Sequence, residues 1–222
     1  MRRNFDLRLY GVLDPTRCRD RDPVTMAEQA AEGGVTLVQY RTKARPSSET
    51  VDQVSAIRRV LERAGVPLIV NDNVDLAIEA GAAGVHLGQN DKNPGAAREL
   101  LGENAIIGVT CHAPYPLEQT LAGDIDYAGL GPVFATSSKD PGDPPLGADG
   151  LRDLVGRVRG HKPGLPVCAI AGIDQTNAAT VIGSGADGIA VIASLFLAND
   201  VATAAKDLRA IVDRTLTERQ KS

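Results

Sequence analysis

The sequence predicts a (β/α)8 barrel. Three observations carry that prediction. Short, nearly continuous apolar runs recur eight times, helix-patterned segments fill the gaps between them, and 222 residues suit one such barrel. An open doubly wound sheet is the plainer rival. It rarely has eight evenly spaced strands, and no GxGxxG follows the first strand here. Residues 1–222 are therefore read as a single TIM-barrel domain with its core at about residues 7–217.

The strand runs, in order, are residues 7–13, 36–40, 67–70, 84–87, 105–109, 127–130, 166–170 and 188–192. Each is short and almost wholly apolar, as a strand buried on both faces should be. The clearest helix is 48–64: Val51, Val54, Ile57, Val60 and Leu61 make one apolar face, opposite Arg58, Arg59 and Glu62. Ser47 or Ser48 suits its N-cap and Gly65 its end. Residues 24–31, 74–80, 96–101, 117–122, 151–158, 178–182 and 201–216 fill the other helical slots. Glycine closes several helices just ahead of the next strand, as in Gly33-Gly34-Val35, Gly81-Ala82-Ala83-Gly84 and Gly185-Ala186-Asp187-Gly188. One long irregular stretch, 134–147, reads as a lid or binding loop.

Composition narrows the function classes. Hydrophobic residues make up 43% and charged residues 23%, which excludes a disordered chain and a fibre. A net charge of −4 and 3% aromatics give no footprint for nucleic acid. No apolar run is long enough to cross a bilayer, and no apolar segment follows the basic start, so neither membrane nor secretory signal is expected. Cys18, Cys111 and Cys168 are odd in number and far apart, which suits a reducing cytoplasm. The expected partners are phosphorylated small molecules, with a homo-oligomer left open.

In such barrels chemistry lies beyond the C-terminal ends of the strands. Asp14 follows the first strand. Gln39, Arg41 and Lys43 follow the second, alternating so that an extended chain points all three one way, and two cations with an amide suit a diphosphate. Asn71 and Asp72 end the third strand, and Gln89 and Asp91 follow the fourth. The two aspartates suit one shared Mg2+; alternatively each serves a turn or caps the helix that follows it. Thr110 and His112 follow the fifth strand, and Thr136, Ser137, Ser138 and Lys139 the sixth. Ala171-Gly172 and Ile192-Ala193-Ser194 stand where this fold binds phosphate through backbone N–H groups. The N-terminal ends of the strands carry Gly, Ala and Pro, so polar groups are expected at one rim. His86, inside an apolar strand, reads as structural, and the cysteines as packing residues.

At these residues the chain resembles the thiamine-phosphate synthase family. The motifs are Gln39-Tyr40-Arg41-Thr42-Lys43, Val70-Asn71-Asp72, His86-Leu87-Gly88-Gln89-Asn90-Asp91, Val109-Thr110-Cys111-His112 and Gly131-Pro132-Val133-Phe134-Ala135-Thr136-Ser137-Ser138-Lys139, followed by Gly172. Any one is weak; the ordered set at successive strand ends is specific. The resemblance implies a transferase that joins 4-amino-5-hydroxymethyl-2-methylpyrimidine diphosphate to 4-methyl-5-(2-phosphoethyl)thiazole, or its carboxylated form. Diphosphate leaves first, giving a pyrimidine-methyl cation. Gln39, Arg41, Lys43 and Asn71 would hold the pyrimidine diphosphate, and Asp72 and Asp91 one Mg2+ per subunit. Thr110 would lie near the reacting centre, where the family often has Ser. Lys139 would reach the diphosphate, Thr136 and Ser138 the thiazole phosphate, and Gly172, Ile192 and Ala193 that phosphate through backbone donors. Arg41, Lys43, Thr110 and Lys139 are thereby the expected catalytic residues. The chain departs from the family at Tyr40, Ala169, Ala171 and Ala193. A related thiazole tautomerase and a non-catalytic phospholigand-binding barrel are the alternatives, and the paired aspartates argue against both.

Overall fold

Eight parallel strands close on one another and leave no edge: β1 (Leu9–Leu13), β2 (Leu37–Tyr40), β3 (Leu68–Asn71), β4 (Gly84–Leu87), β5 (Ile106–Cys111), β6 (Tyr127–Leu130), β7 (Val167–Ile170) and β8 (Gly188–Val191). β8 pairs back onto β1, so every strand has two partners and no ladder groups are left open. The computed structural model describes residues 4–43, 45–111, 117–136 and 144–221. Around the barrel run α1 (Pro23–Glu32), α2 (Ser48–Arg63), α3 (Val74–Glu79), α4 (Pro94–Leu101), α5 (Leu117–Leu121), α6 (Gly147–His161), α7 (Ala178–Gly183), α8 (Ala193–Phe196) and α9 (Val201–Arg219). The predicted (β/α)8 barrel is the fold observed.

Strand alternation divides the apolar residues into two bodies. Val38, Tyr40, Val70, Val85 and Val109 face outward and pack with Ile57, Leu61, Leu76 and Leu208 of the helices. Tyr10, Val12, Leu37, Ile69, Ile106, Tyr127, Cys168 and Ala190 fill the barrel interior. Gly108 makes room there: a Cβ at that position would stand 2.0 Å from the Tyr127 ring. Each large interior side chain contributes roughly 1.5–3 kcal/mol by leaving water.

The helix ends differ from the sequence expectation in instructive ways. α1 begins at Pro23 because Asp22 caps it, accepting from the Thr25 N–H at 2.9 Å. α6 begins at Gly147, ahead of the expected 151, because Gly147 and Gly150 read as loop residues in sequence. β5 runs on to Cys111 and so carries Thr110 inside the strand.

Polar groups are not confined to one rim, which corrects the sequence expectation. At the N-terminal ends of the strands Asp126 accepts from the Ile107 N–H at 2.8 Å, and Asp187 from the Val167 N–H at 3.0 Å. Arg98 of α4 pairs with Asp126 at 2.7 Å and Asp124 at 3.1 Å. Arg159 and Arg219 pair with Asp187. These groups are fully engaged with one another and with backbone, so they staple helices to strands. Among the described residues no helix is long and apolar enough to cross a membrane.

Candidate active site

The mouth at the C-terminal ends of the strands has a side-chain half and a backbone half. In the first, β1 ends in Asp14, which is only 4% exposed. Its carboxylate accepts from Thr16 and also receives Arg41 Nη1 at 2.8 Å. Removing one partner of so buried an ion pair costs about 3–5 kcal/mol. Asp14 therefore fixes where the Arg41 guanidinium points. Nε and Nη2 of Arg41 have no hydrogen-bond partner among the described residues. Nothing in the sequence ties Asp14 to Arg41; the parallel pairing of β1 with β2 brings them together.

Gln39 points into the barrel, where its amide nitrogen donates to the Tyr10 hydroxyl. β2 stops at Tyr40, so Arg41 and Lys43 stand on the loop beyond it; Lys43 is exposed. The strict alternation expected of the trio therefore holds only for the strand part.

Asp72 and Asp91 meet at the ends of β3 and β4. Neither caps a helix: Asn73 caps α3, accepting from Leu76 N–H at 2.8 Å, and Asn93 caps α4, accepting from Gly95 N–H at 2.8 Å. That removes the helix-cap alternative for both aspartates, while Asp91 does close a turn by accepting from the Gly88 N–H. Partial burial in the mouth and the contacting Asp91 carboxylate push Asp72 up to about 7, while Asn71 and the Arg41 charge pull it the other way. Arg41 thus acts on the same mouth as the acidic pair. Asn71 Nδ2 donates to Asp72 at 2.5 Å, and the Gly88 N–H donates to Asp91 at 2.6 Å. Asp72 also holds φ +62, a left-handed conformation that few non-glycine residues adopt. Among the described residues no third His, Cys, Asp or Glu joins the pair.

Thr110 stands in β5 with its hydroxyl 2.8 Å from His86 Nε2, and its carbonyl accepts from Gln89. His86, read from the sequence as structural, touches Thr110 directly. Across the barrel, the backbone half has Gly172 at φ +66, where a Cβ would meet the Ala135 carbonyl oxygen at 2.6 Å. Ala171, one of the departures from the family, holds φ +84. Ile192 precedes α8, Ala193 begins it exposed, and the Ser194 hydroxyl is spent on the Ile173 carbonyl at 2.8 Å. Thr136 is half-buried after β6. Ser137, Ser138, Lys139 and His112 lie outside the described residues. Burial pushes the Cys111 and Cys168 thiols up to about 12, which makes both poor nucleophiles.

A family model described as thiamine monophosphate synthase matches residues 9–195, nearly the whole barrel. The chain belongs to the thiamine monophosphate synthase family. Relatives in this transferase family bear that out along the full chain. A thiamine-phosphate synthase of Chloroflexus aurantiacus is 44% identical over 210 residues, covering 95% of this chain and 94% of its own. One from Agrobacterium fabrum is 40% identical, covering 97% and 98%. The solved thiamine phosphate pyrophosphorylase from Pyrococcus furiosus superimposes with a TM-score of 0.81 at 33% identity, covering 95% of this chain and 97% of that one. An orotidine 5'-phosphate decarboxylase from Pyrococcus horikoshii, 15% identical with a TM-score of 0.63, shares the fold alone.

Proposed function

We propose that this family member is a thiamine-phosphate synthase. It joins 4-amino-5-hydroxymethyl-2-methylpyrimidine diphosphate to the phosphorylated thiazole, in its carboxylated or decarboxylated form, and releases diphosphate, with carbon dioxide leaving as well when the thiazole is carboxylated. The single observation that carries the reading is the mouth itself. Two touching carboxylates, freed from helix capping by Asn73 and Asn93, share it with an arginine anchored on one nitrogen and, among the described residues, open on the others.

Asp72 and Asp91 fit one Mg2+. Side by side they repel, and Mg2+ held by the two carboxylates would relieve that repulsion. Bound there, Mg2+ would supply positive charge against the diphosphate. Asn71 orients Asp72, and the Gly88 N–H orients Asp91. Arg41, held by Asp14, with Lys43 and Lys139 would oppose the negative charge that grows on the leaving diphosphate. Gln39 and Thr110 would hold the pyrimidine. Thr136 and Ser138 would meet the thiazole phosphate, together with backbone donors at Gly172, Ile192 and Ala193. The bond to diphosphate breaks, the ring-bearing methylene cation forms, and the thiazole nitrogen attacks it. No protein nucleophile is required, which agrees with thiols that burial has silenced. Three free, buried cysteines suit the reducing cytoplasm.

The test is Asp91→Ala. The synthase reading expects Mg2+-dependent turnover to be lost with the fold intact by circular dichroism. Undiminished turnover would remove Asp91 from the metal site.

A further inference from the structure

Below the mouth a line of buried polar atoms crosses the barrel. The Gln39 amide nitrogen donates to Tyr10 Oη. Tyr10 Oη lies 2.9 Å from Tyr127 Oη, Tyr127 Oη 2.8 Å from His86 Nδ1, and His86 Nε2 2.8 Å from Thr110 Oγ1. Tyr10 and Tyr127 are fully buried, with their rings packed edge to face at 5.9 Å. Five residues on five strands thus join Gln39 of β2 to Thr110 of β5, on opposite walls of the barrel.

Proton counting fixes the direction of every bond in this line. Burial drives both phenols well above their usual range, so each keeps its single proton. An amide nitrogen only donates, so Tyr10 accepts from Gln39 and must give its own proton to Tyr127. Tyr127, having accepted, gives its proton to His86 Nδ1. The neutral His86 ring then carries its hydrogen on Nε2 and donates it to Thr110. The ends follow. Gln39 Oε1 accepts no hydrogen bond among the described residues, and the Thr110 hydroxyl proton is left for another acceptor. Reversing one bond alone would leave a buried proton without an acceptor, a costly state, so the line reverses as a whole.

We propose that Tyr10 and Tyr127 are positioning residues of a one-way hydrogen-bond relay, which sets together the polarity of Gln39 and Thr110 at the substrate. In the assigned direction Gln39 offers an acceptor and Thr110 a donor. That combination takes an amino-heteroaromatic ring, with its N–H donor turned to Gln39 and a lone pair to Thr110. It discriminates against the oxo analogue, whose donor and acceptor are exchanged. The choice of ring rests on the synthase reading; the relay does not.

The experiment therefore reads the relay without substrate, by 15N NMR of the His86 ring in the full chain at pH 8. The expected wild-type state is a single neutral tautomer with hydrogen on Nε2. Gln39→Glu replaces a donor with an acceptor, so Tyr10 turns to donate to it. The line then reverses, and the hydrogen on His86 moves to Nδ1. In a Tyr127→Phe background the same Gln39→Glu change leaves the tautomer where it was. A merely structural role for the tyrosines predicts no such dependence. A wild-type ring with hydrogen on Nδ1 overturns the assigned direction and needs no variant to fold. A ring that ignores Gln39→Glu in the intact, folded chain overturns the coupling. Either result leaves the synthase reading standing, and a failed synthase assay leaves the relay standing.

Discussion

Arg41 and Arg98 are both drawn into the protein beside aspartates, one at each end of the barrel. Arg98 is 4% exposed and spends its guanidinium completely: on Asp124, on Asp126, and on the carbonyls of Glu103, Ala105 and Asp124. Arg41 makes one ion pair, to Asp14, and keeps two nitrogens uncommitted among the described residues. Burial and an aspartate partner do not separate a structural arginine from a working one. The count of satisfied donors does. A group fully paired at the N-terminal rim holds helix to strand, whereas one pinned at a single nitrogen is aimed at something.

The sharpest way to break this comparison is the same conservative change at both sites, since lysine keeps the charge and loses the fork. Arg41→Lys is expected to lower turnover by about 100-fold, the usual loss for a group that meets transition-state charge, with Tm moved by only a few degrees. Arg98→Lys should do the opposite. Stranding Asp126 costs about 3 kcal/mol, roughly 6–12 °C in Tm at this chain length, while turnover of the folded protein stays near wild type. Enzyme assays and thermal melts of the two variants read this directly; matching profiles would refute the distinction.

A smaller effect tests the anchor. Asp14→Asn keeps the turn at Thr16 but removes the counter-charge, so Arg41 loses its fixed aim. kcat should fall in the same sense as in Arg41→Lys but by less, about tenfold, equivalent to about 1.4 kcal/mol. An unchanged kcat would mean that Asp14 does not act through Arg41.

Next comes the acidic pair. Asp72 has a folded-state pKa raised to about 7, above its ordinary carboxylate value. The folded protein therefore binds more protons than the unfolded chain between about pH 4 and 7, and its metal-free stability falls as pH rises through that window. Asp72→Asn should remove this penalty. At pH 8 the variant should melt about 2–4 °C above wild type, a gain of about 1 kcal/mol after discounting for the exposed edge of the pair. At pH 4 the gain should vanish. A gain independent of pH would point instead to relief of the left-handed backbone.

The smallest expected effect is at the backbone half. Ser194→Ala removes one hydrogen bond to Ile173, worth about 1 kcal/mol, and should leave KM for the thiazole phosphate unchanged. A large rise in KM would show that the hydroxyl, rather than backbone N–H groups, meets that phosphate.

The two halves of the mouth also differ in how far the sequence reveals them. Arg41, Lys43, Asp72 and Asp91 stand out by type and by position after successive strands. Their neighbours do not: Asp14 meets Arg41 only because the barrel brings residues 27 apart in sequence together. The helix-cap alternative for Asp72 and Asp91 is equally plausible in sequence, and only the caps made by Asn73 and Asn93 dispose of it. The backbone half is legible only by position, as Ala171-Gly172 and Ile192-Ala193-Ser194 after the last two strands, because φ +66 at Gly172 and φ +84 at Ala171 are properties of chain path. Tyr10 and Tyr127 pass for apolar strand residues, since each adds one polar atom to a ring that packs like Phe. The strands themselves were legible because both of their faces are buried, and helix starts less so because glycines open α6.

The most direct measurement mixes the purified protein with the pyrimidine diphosphate and the thiazole phosphate, with and without Mg2+, and follows thiamine phosphate by mass spectrometry. Metal-dependent formation of thiamine phosphate with release of diphosphate is the predicted result. A folded protein that binds both substrates and forms none would contradict the synthase reading.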